Sequence, residues 1–524
     1  MTVVAEPTLL DVWLASQQEL SAVDRFARTQ RTLPADTRFY RDLVPATPPG
    51  PGQQYAFDVD LDACSSCKAC VTACHSLNGL DAGESWRTVG LLHGGTATAP
   101  FQQAVTTACH HCVDPACLNG CPVDAYEKDP FTGIVRHLDD QCIGCSYCTL
   151  MCSYDVPRFD AERGIVRKCD MCADRLGAGE APACVQACPT NAIRITIVDT
   201  SSVREKAAAA PWPIPGAPSP TLTVPATQYH TTRSWPADAR PADHERARVG
   251  HAHLPLVAML VLSQLAIGDI AVGALRAQPA TPAFLLTPFA LLTAAMIASL
   301  AHLGRPRYAF RAVIGVRHSW LSREVIGLGT CAGLLAAAIA SGVAFGRDRL
   351  PGRALSLAAV GVGVVTVLCQ TMVYVATRRP WWAPRYTATK FALTALAGGL
   401  AVSLCQPAPS PTPVLALFLT AVTALKLSSE AAFLRHRSGR HSGDLHRAAR
   451  LLTLDLLVVT WWRFSAGIIG GVVLPLIVVS ARDGAGLRTG IAVTGAVVLA
   501  TGEALERVGF FAACSGPRMP GGRA

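Results

Sequence analysis

Charge is what this 524-residue chain has least of: 16% of its residues are charged and 50% are hydrophobic. That balance is too apolar for an ordinary soluble protein, and the length is too great for one core. Acid is scarcest in the second half. From residue 250 onward there are 25 Lys and Arg but 9 Asp and Glu, which leaves 21 against 28 for the first part. The basic excess does not describe a nucleic-acid surface, because its arginines sit in short stretches between long apolar runs and no basic-aromatic stripe accompanies them. No nucleic-acid partner is expected. The N-terminus has acids and amides where a signal peptide needs an unbroken apolar stretch, and it has no twin-arginine pair, so nothing in it directs export. Cysteine is sparse in the apolar half, where Cys331, Cys369, Cys405 and Cys514 stand singly.

The other sixteen of the twenty cysteines lie between Cys64 and Cys188. They form four runs: Cys64, Cys67, Cys70 and Cys74; Cys109, Cys112, Cys117 and Cys121; Cys142, Cys145, Cys148 and Cys152; and Cys169, Cys172, Cys184 and Cys188. Each has a CxxC, a third cysteine, and a fourth after three more residues. A cubane cluster needs four thiolates at the corners of a tetrahedron; a tight loop supplies three and a neighbouring run the fourth. Structural zinc uses paired CxxC ribbons without this extra spacing, and disulfides need an oxidising compartment. Sixteen ligands therefore suit four 4Fe-4S clusters with none left over. Pro122 and Pro189 follow runs two and four as in bacterial ferredoxins, whereas His75 and Ser153 follow runs one and three.

The stretch from Asp62 to about Asp199 resembles the iron-sulfur subunit of the dimethyl sulfoxide reductase group of molybdenum enzymes, most closely in HCVDPACLNGCPVDAYEKDPFTGIV and CSYDVPRFD. The resemblance implies an α+β ferredoxin-like domain of two dicluster halves, with run one paired to run four and run two to run three. It assigns Cys64, Cys67, Cys70 and Cys188 to one terminal cluster and Cys74, Cys169, Cys172 and Cys184 to its neighbour. It assigns Cys109, Cys112, Cys117 and Cys152 to a third and Cys121, Cys142, Cys145 and Cys148 to the fourth.

Ahead of this domain (56–200) lies an N-terminal arm, 1–55, with an apolar periodicity that predicts a helix from Thr8 to about Thr29. After it, residues 201–250 form a proline-rich linker, whose core from Pro211 to Pro241 reads as an extended strap. Residues 251–515 hold apolar runs near 254–275, 283–303, 325–345, 355–377, 391–406, 412–434, 464–481 and 489–512, each close to the ~20 residues that cross a bilayer. An all-α bundle of about eight transmembrane helices is expected. Residues 447–463 read as an interfacial helix or an extension of the seventh span. Loops on the side shared with the iron-sulfur domain carry 14 Lys and Arg against 6 on the other side, which places that domain on the cytoplasmic face of the inner membrane.

HLGRPRYAFRAVIGVRHSWLSREVIGLG and GEALERVGFFAA are similar to the membrane anchor of the same reductase family. There, a His and a Glu at the positions of His302 and Glu324 are implicated in menaquinol binding. The sequence agrees independently: both sit at the membrane edge on the iron-sulfur side, and a His with a carboxylate suits acceptance of the two protons of a quinol. The rival reading has Glu324 capping a helix and His302 anchoring at the interface. Asp269, Glu430, Glu503 and Glu506 are expected to face the bundle interior or pair with Arg. His251, His253, His302, His318, His436, His441 and His446 fall at helix ends or in loops, so no haem is expected. The expected partners are a molybdopterin catalytic subunit, the quinone pool and the lipid bilayer. A tethered carrier without a molybdenum partner and a quinone-reducing dehydrogenase subunit are the alternatives.

Overall fold

The computed structural model describes Thr8, Leu9, Leu10, Val12 and Ala15, and then residues 43–521 apart from 245–248, 276–281, 346–349, 407–411, 439–442, 481–484 and 515–517. The helix expected over residues 8–29 thus lies almost wholly outside the described residues. Between residues 53 and 241 four small sheets carry the cysteine runs. In the first, β1 (Gln53–Asp60) pairs antiparallel with β8 (Ile193–Asp199), from Gln53 opposite Asp199 to Val59 opposite Ile193. Tyr55, Phe57, Val59, Ile193 and Ile195 fill the core beneath it. Run one follows β1 and run four precedes β8, so this pairing brings Cys64 and Cys188 to the same end of the sheet.

The hairpin of β4 (Tyr126–Lys128) and β5 (Val135–His137) turns run two back onto run three, and the hairpin of β6 (Arg158–Asp160) and β7 (Ile165–Arg167) returns the chain toward run four. The longer hairpin of β2 (Thr88–Gly95) and β3 (Pro100–Thr107) is inserted between runs one and two.

The proline-rich stretch is extended, yet it is docked along the iron-sulfur domain. Its β9 (Gln228–His230) adds parallel to β1 and its β10 (Arg240–Pro241) antiparallel to β2. Both strands cover edges that would otherwise present unpaired main-chain groups. Trp212 from the same stretch packs edge-on against His110 and Tyr229.

The second half is helical. Seven helices are long and apolar enough to cross a membrane among the described residues: α1 (Leu254–Leu275), α2 (Pro282–Leu300), α3 (Trp320–Phe345), α4 (Leu350–Val375), α5 (Pro384–Cys405), α6 (Thr412–Leu434) and α7, which runs from Leu457 to Ser480 through a π-helical turn at Ile469–Val473. The eighth apolar run becomes α8 (Ala485–Ala512), 28 residues long, whose last third carries Glu503, Glu506 and Arg507. The ambiguous stretch before α7 divides: Asp444–Thr453 forms a separate amphipathic helix and Leu457 opens the span. α1 is the central helix. It is buried along most of its length, with Ser263, Gln264 and Asp269 fully enclosed.

Candidate functional site

Left-handed residues fold the CxxC loops. Ser66 and Lys68 in run one, Ser146 in run three and Met171 and Cys172 in run four all have positive φ, between 49° and 64°, which turns the chain tightly enough for successive sulfurs to converge. A short helix follows in runs one and three, Ala69–Leu77 and Tyr147–Met151. Cys74 and Cys152 come four residues after Cys70 and Cys148, and so sit about one turn further along the chain.

Runs one and four lie together, and so do runs two and three, because thiols of each pair influence one another. Burial, then Cys184, pushes the Cys74 thiol up to about 12. Burial raises Cys64, with Cys188 and Cys67 adding to it. Cys112 is raised by burial and by Cys109, Cys152 and Cys117, and Cys121 is pushed up to about 11 by burial with Cys142 beside it. All sixteen of these cysteines are free thiols in one domain, and a bound metal cation would hold them as thiolates. That is the donor set an iron-sulfur cluster requires.

Cys70 also lies within electrostatic reach of Cys184, Cys169 of Cys109, and Cys148 of Cys117. Cys67 is exposed, whereas Cys145 is half-buried. Two buried cations lie among these cysteines. The Arg87 guanidinium faces Cys184, Cys70, Cys169 and Cys74 and stacks 4.7 Å over the Phe57 ring. Lys168 faces Cys109, Cys117 and Cys169 and donates to the Cys169 main-chain oxygen at 2.8 Å. Sequence reasoning missed both. Lys168 had a local signal, its place immediately before Cys169, whereas Arg87 had none.

The iron-sulfur domain meets the bundle through main chain. The Gly304 N–H donates to the Gly144 oxygen at 3.3 Å, the Arg305 N–H to Ile143 at 3.0 Å and the Gly315 N–H to Pro122 at 2.9 Å. Ser319 Oγ donates to the Gly120 oxygen at 2.8 Å. All four bonds use the loop between α2 and α3 or its end; two bring run three and two bring run two onto the membrane domain.

At this joint lies a cavity of about 660 Å³, lined by Cys145 and Tyr147 from run three, His302 from the end of α2, Glu324 from α3 and mostly apolar side chains of α1 to α4. His302 Nε2 is 3.1 Å from the Cys145 main-chain oxygen. Because a carbonyl only accepts, Nε2 carries the proton and Nδ1 keeps its lone pair. Burial lowers the His302 pKa while the bond to Cys145 opposes this, so the ring is neutral near pH 7. Glu324 is not a cap, because α3 begins four residues earlier at Trp320. It is 2% exposed, and its Oε1 has no hydrogen-bond partner among the described residues.

The remaining intramembrane acids lie elsewhere in the bundle. Asp269 accepts from Ser403 Oγ at 2.6 Å and Gln406 Nε2 at 2.9 Å. Glu430 takes both ends of Arg463 at 2.9 and 3.0 Å. Glu503 pairs with Arg463 at 3.0 Å and with Lys426, and Glu506 pairs with Lys390 at 2.9 Å and with Arg507. These seven side chains from α5, α6, α7 and α8 form one buried ionic group. A lysine inside an apolar run, at 426, was its visible signal.

The fold and the cysteine arrangement define an iron-sulfur electron-transfer protein joined to a multi-pass membrane domain. Residues 101–198 match the 4Fe-4S dicluster domain family, which covers runs two to four, and residues 248–512 match the DMSO reductase anchor subunit family. The second match spans half of the chain, and the protein belongs to the DMSO reductase anchor subunit family, here with the iron-sulfur subunit fused ahead of the anchor. Its iron-sulfur part is 34% identical over 188 residues to the B subunit of the anaerobic dimethyl sulfoxide reductase of Haemophilus influenzae, covering 34% of this protein and 91% of that one. It is 37% identical over 155 residues to the thiosulfate reductase electron transfer subunit PhsB of Salmonella typhi, covering 29% and 80%. It is 34% identical over 172 residues to the hydrogenase-2 operon protein HybA of Escherichia coli O157:H7, covering 28% and 52%.

Proposed function

We propose that the chain oxidises a membrane quinol in the cavity at His302 and Glu324 and passes electrons through four 4Fe-4S clusters to a separate molybdopterin catalytic subunit. The observation that carries this reading is that one cavity is lined at once by His302, Glu324 and Cys145. A quinol ring fits its size and apolar walls, with the Nδ1 lone pair of His302 and the carboxylate of Glu324 as acceptors for the two hydroxyl protons. The clusters supply one-electron transfer between this cavity and a partner. Cys121, Cys142, Cys145 and Cys148 would hold the cluster nearest the quinol, and Cys109, Cys112, Cys117 and Cys152 the next. Cys74, Cys169, Cys172 and Cys184 would hold the third, and Cys64, Cys67, Cys70 and Cys188 the last, where exposed Cys67 marks the exit. Arg87 and Lys168 offset the negative charge of the buried clusters.

The loop charges favour the inner membrane with the iron-sulfur domain on the cytoplasmic face. The C-terminus returns to that domain, with Arg518 2.7 Å from Asp243, so a C-terminal reporter reads the same side; activity only in the periplasm would reverse the assignment. The names of the relatives include reductase and hydrogenase proteins, and a line of clusters conducts both ways, so quinone reduction is the second reading. The deciding experiment purifies the tagged full chain from membranes. Co-isolation of a large molybdenum-containing subunit, with quinol-driven reduction of the cluster absorbance, is the expected result. Isolation without one would leave a tethered carrier instead.

A further inference from the structure

Quinol oxidation leaves two protons in a cavity walled largely by apolar side chains, and turnover requires that they leave. His253, three residues into the descent toward α1 from Gly250, also lines that cavity. Its ring packs edge-on against His302 with centroids 5.3 Å apart, and against His251 on another side at 4.7 Å. Phe511 from α8 closes a third side at 5.6 Å. His253 is half-buried and His251 is exposed, so three imidazole rings in edge-on contact run from the cavity to the surface.

The backbone holds this line in place. His253 has φ of 48°, a left-handed conformation that a non-glycine residue adopts only when its surroundings hold it there. Its N–H donates to His251 Nδ1 at 3.1 Å, so the turn that strains the chain also sets the two rings against each other. Burial, with His302 and His251 adjacent, brings His253 down to about 4. It therefore stands neutral near pH 7 and releases a proton once it has one. Imidazole suits this task because one nitrogen can take a proton while the other gives one up.

We propose that His253 carries the quinol proton taken by His302 out of the cavity to His251 and from there to water on the iron-sulfur face. The proposal rests on the quinol reading above. For each quinol oxidised two O–H bonds break, two electrons leave singly toward the clusters, and two protons are released, of which the one on His302 leaves through His253; nothing else is consumed. His253 acts as a carrier of released protons, and His251 as both its support and its outlet.

The test uses the full chain in its membrane complex, with a short-chain naphthoquinol as donor and cluster absorbance as the readout. His253→Asn and His253→Gly are the variants of choice, since both residue types accept a left-handed backbone. Each should slow quinol-driven reduction by about 100-fold with an unchanged KM for quinol, an increased solvent deuterium isotope effect and unchanged reduction by dithionite. Added imidazole should restore part of the rate in the glycine variant, which a merely structural role would not allow. Full rate in both variants, or a loss that imidazole leaves untouched, would overturn the proposal. His302→Ala separates the two levels: if it too keeps full rate the quinol reading fails, whereas its loss beside intact His253 variants sinks the exit alone.

Discussion

His302 Nε2 and the main-chain oxygen of Cys145 stand 3.1 Å apart, so the imidazole that faces the cavity is hydrogen-bonded to a residue of the third cysteine run. One bond therefore ties the tautomer of His302 to the position of that loop. His302→Ala should cut quinol-driven cluster reduction by about 100-fold or more while leaving reduction by dithionite at its normal rate and extent. Glu324→Gln, which keeps shape but cannot accept a proton, should lose rate with little change in quinol KM. Stopped-flow absorbance with the two reductants separates these outcomes, and unchanged quinol kinetics would remove both residues from the site.

Replacing Cys145 by serine should lower bound iron by one cluster and spare the others, because the cysteine sets are built from separate side chains. Quinol-driven reduction should stop in this variant even though dithionite still reduces the remaining clusters. Iron analysis together with electron paramagnetic resonance at stepped potentials checks it. Loss of the whole cluster set at one stroke would instead mean that this loop holds the domain together.

The joint between the halves should be equally sensitive. A Cβ on Gly304 would press into the Gly164 main-chain oxygen and lie 2.8 Å from the Gly164 Cα, and main chain cannot move aside as a flexible side chain can. Gly304→Val should therefore lift run three from the cavity, lowering quinol-driven reduction at least about 10-fold while iron content stays normal. Limited proteolysis should cut faster between the two halves. A variant with wild-type rates would show that the glycine contact is not what holds them.

Much of this was legible in the sequence because its signals are local. Cysteine spacing and apolar run length are each read within about 20 residues. That His302 and Glu324 lie near each other was legible too, since they flank one loop and line one cavity, but the apolar run of α3 begins only at residue 325. The helix opens instead at Trp320, after the loop whose main chain and Ser319 bond to the iron-sulfur domain. Glu324 consequently lies about a turn inside α3, walled into the cavity. The docking of the proline-rich stretch was hidden because proline content fixes an extended backbone but not the sheet edge it meets. Arg87 was hidden because nothing near it in sequence is a ligand; the β1–β8 pairing and the β2–β3 hairpin bring it under two cysteine groups at once.

The buried ionic group is the least local feature, and it offers the strongest stability test. Lys390, Lys426, Arg463 and Arg507 face Glu430, Glu503 and Glu506 from four different helices. Lys426 and Glu503 are each 1% exposed. Removing one partner of such a set leaves charge stranded in a medium that cannot solvate it, at a cost of about 3–5 kcal/mol. Glu503→Gln should accordingly lower stability by that order, with Lys426 and Arg463 left short of a counter-charge. Adding Lys426→Met should recover part of the loss, since the pair is then removed together. Unfolding of the purified chain in detergent, followed as a double-mutant cycle, measures the coupling. Strict additivity of the two substitutions would show that the carboxylate and the lysine do not depend on each other.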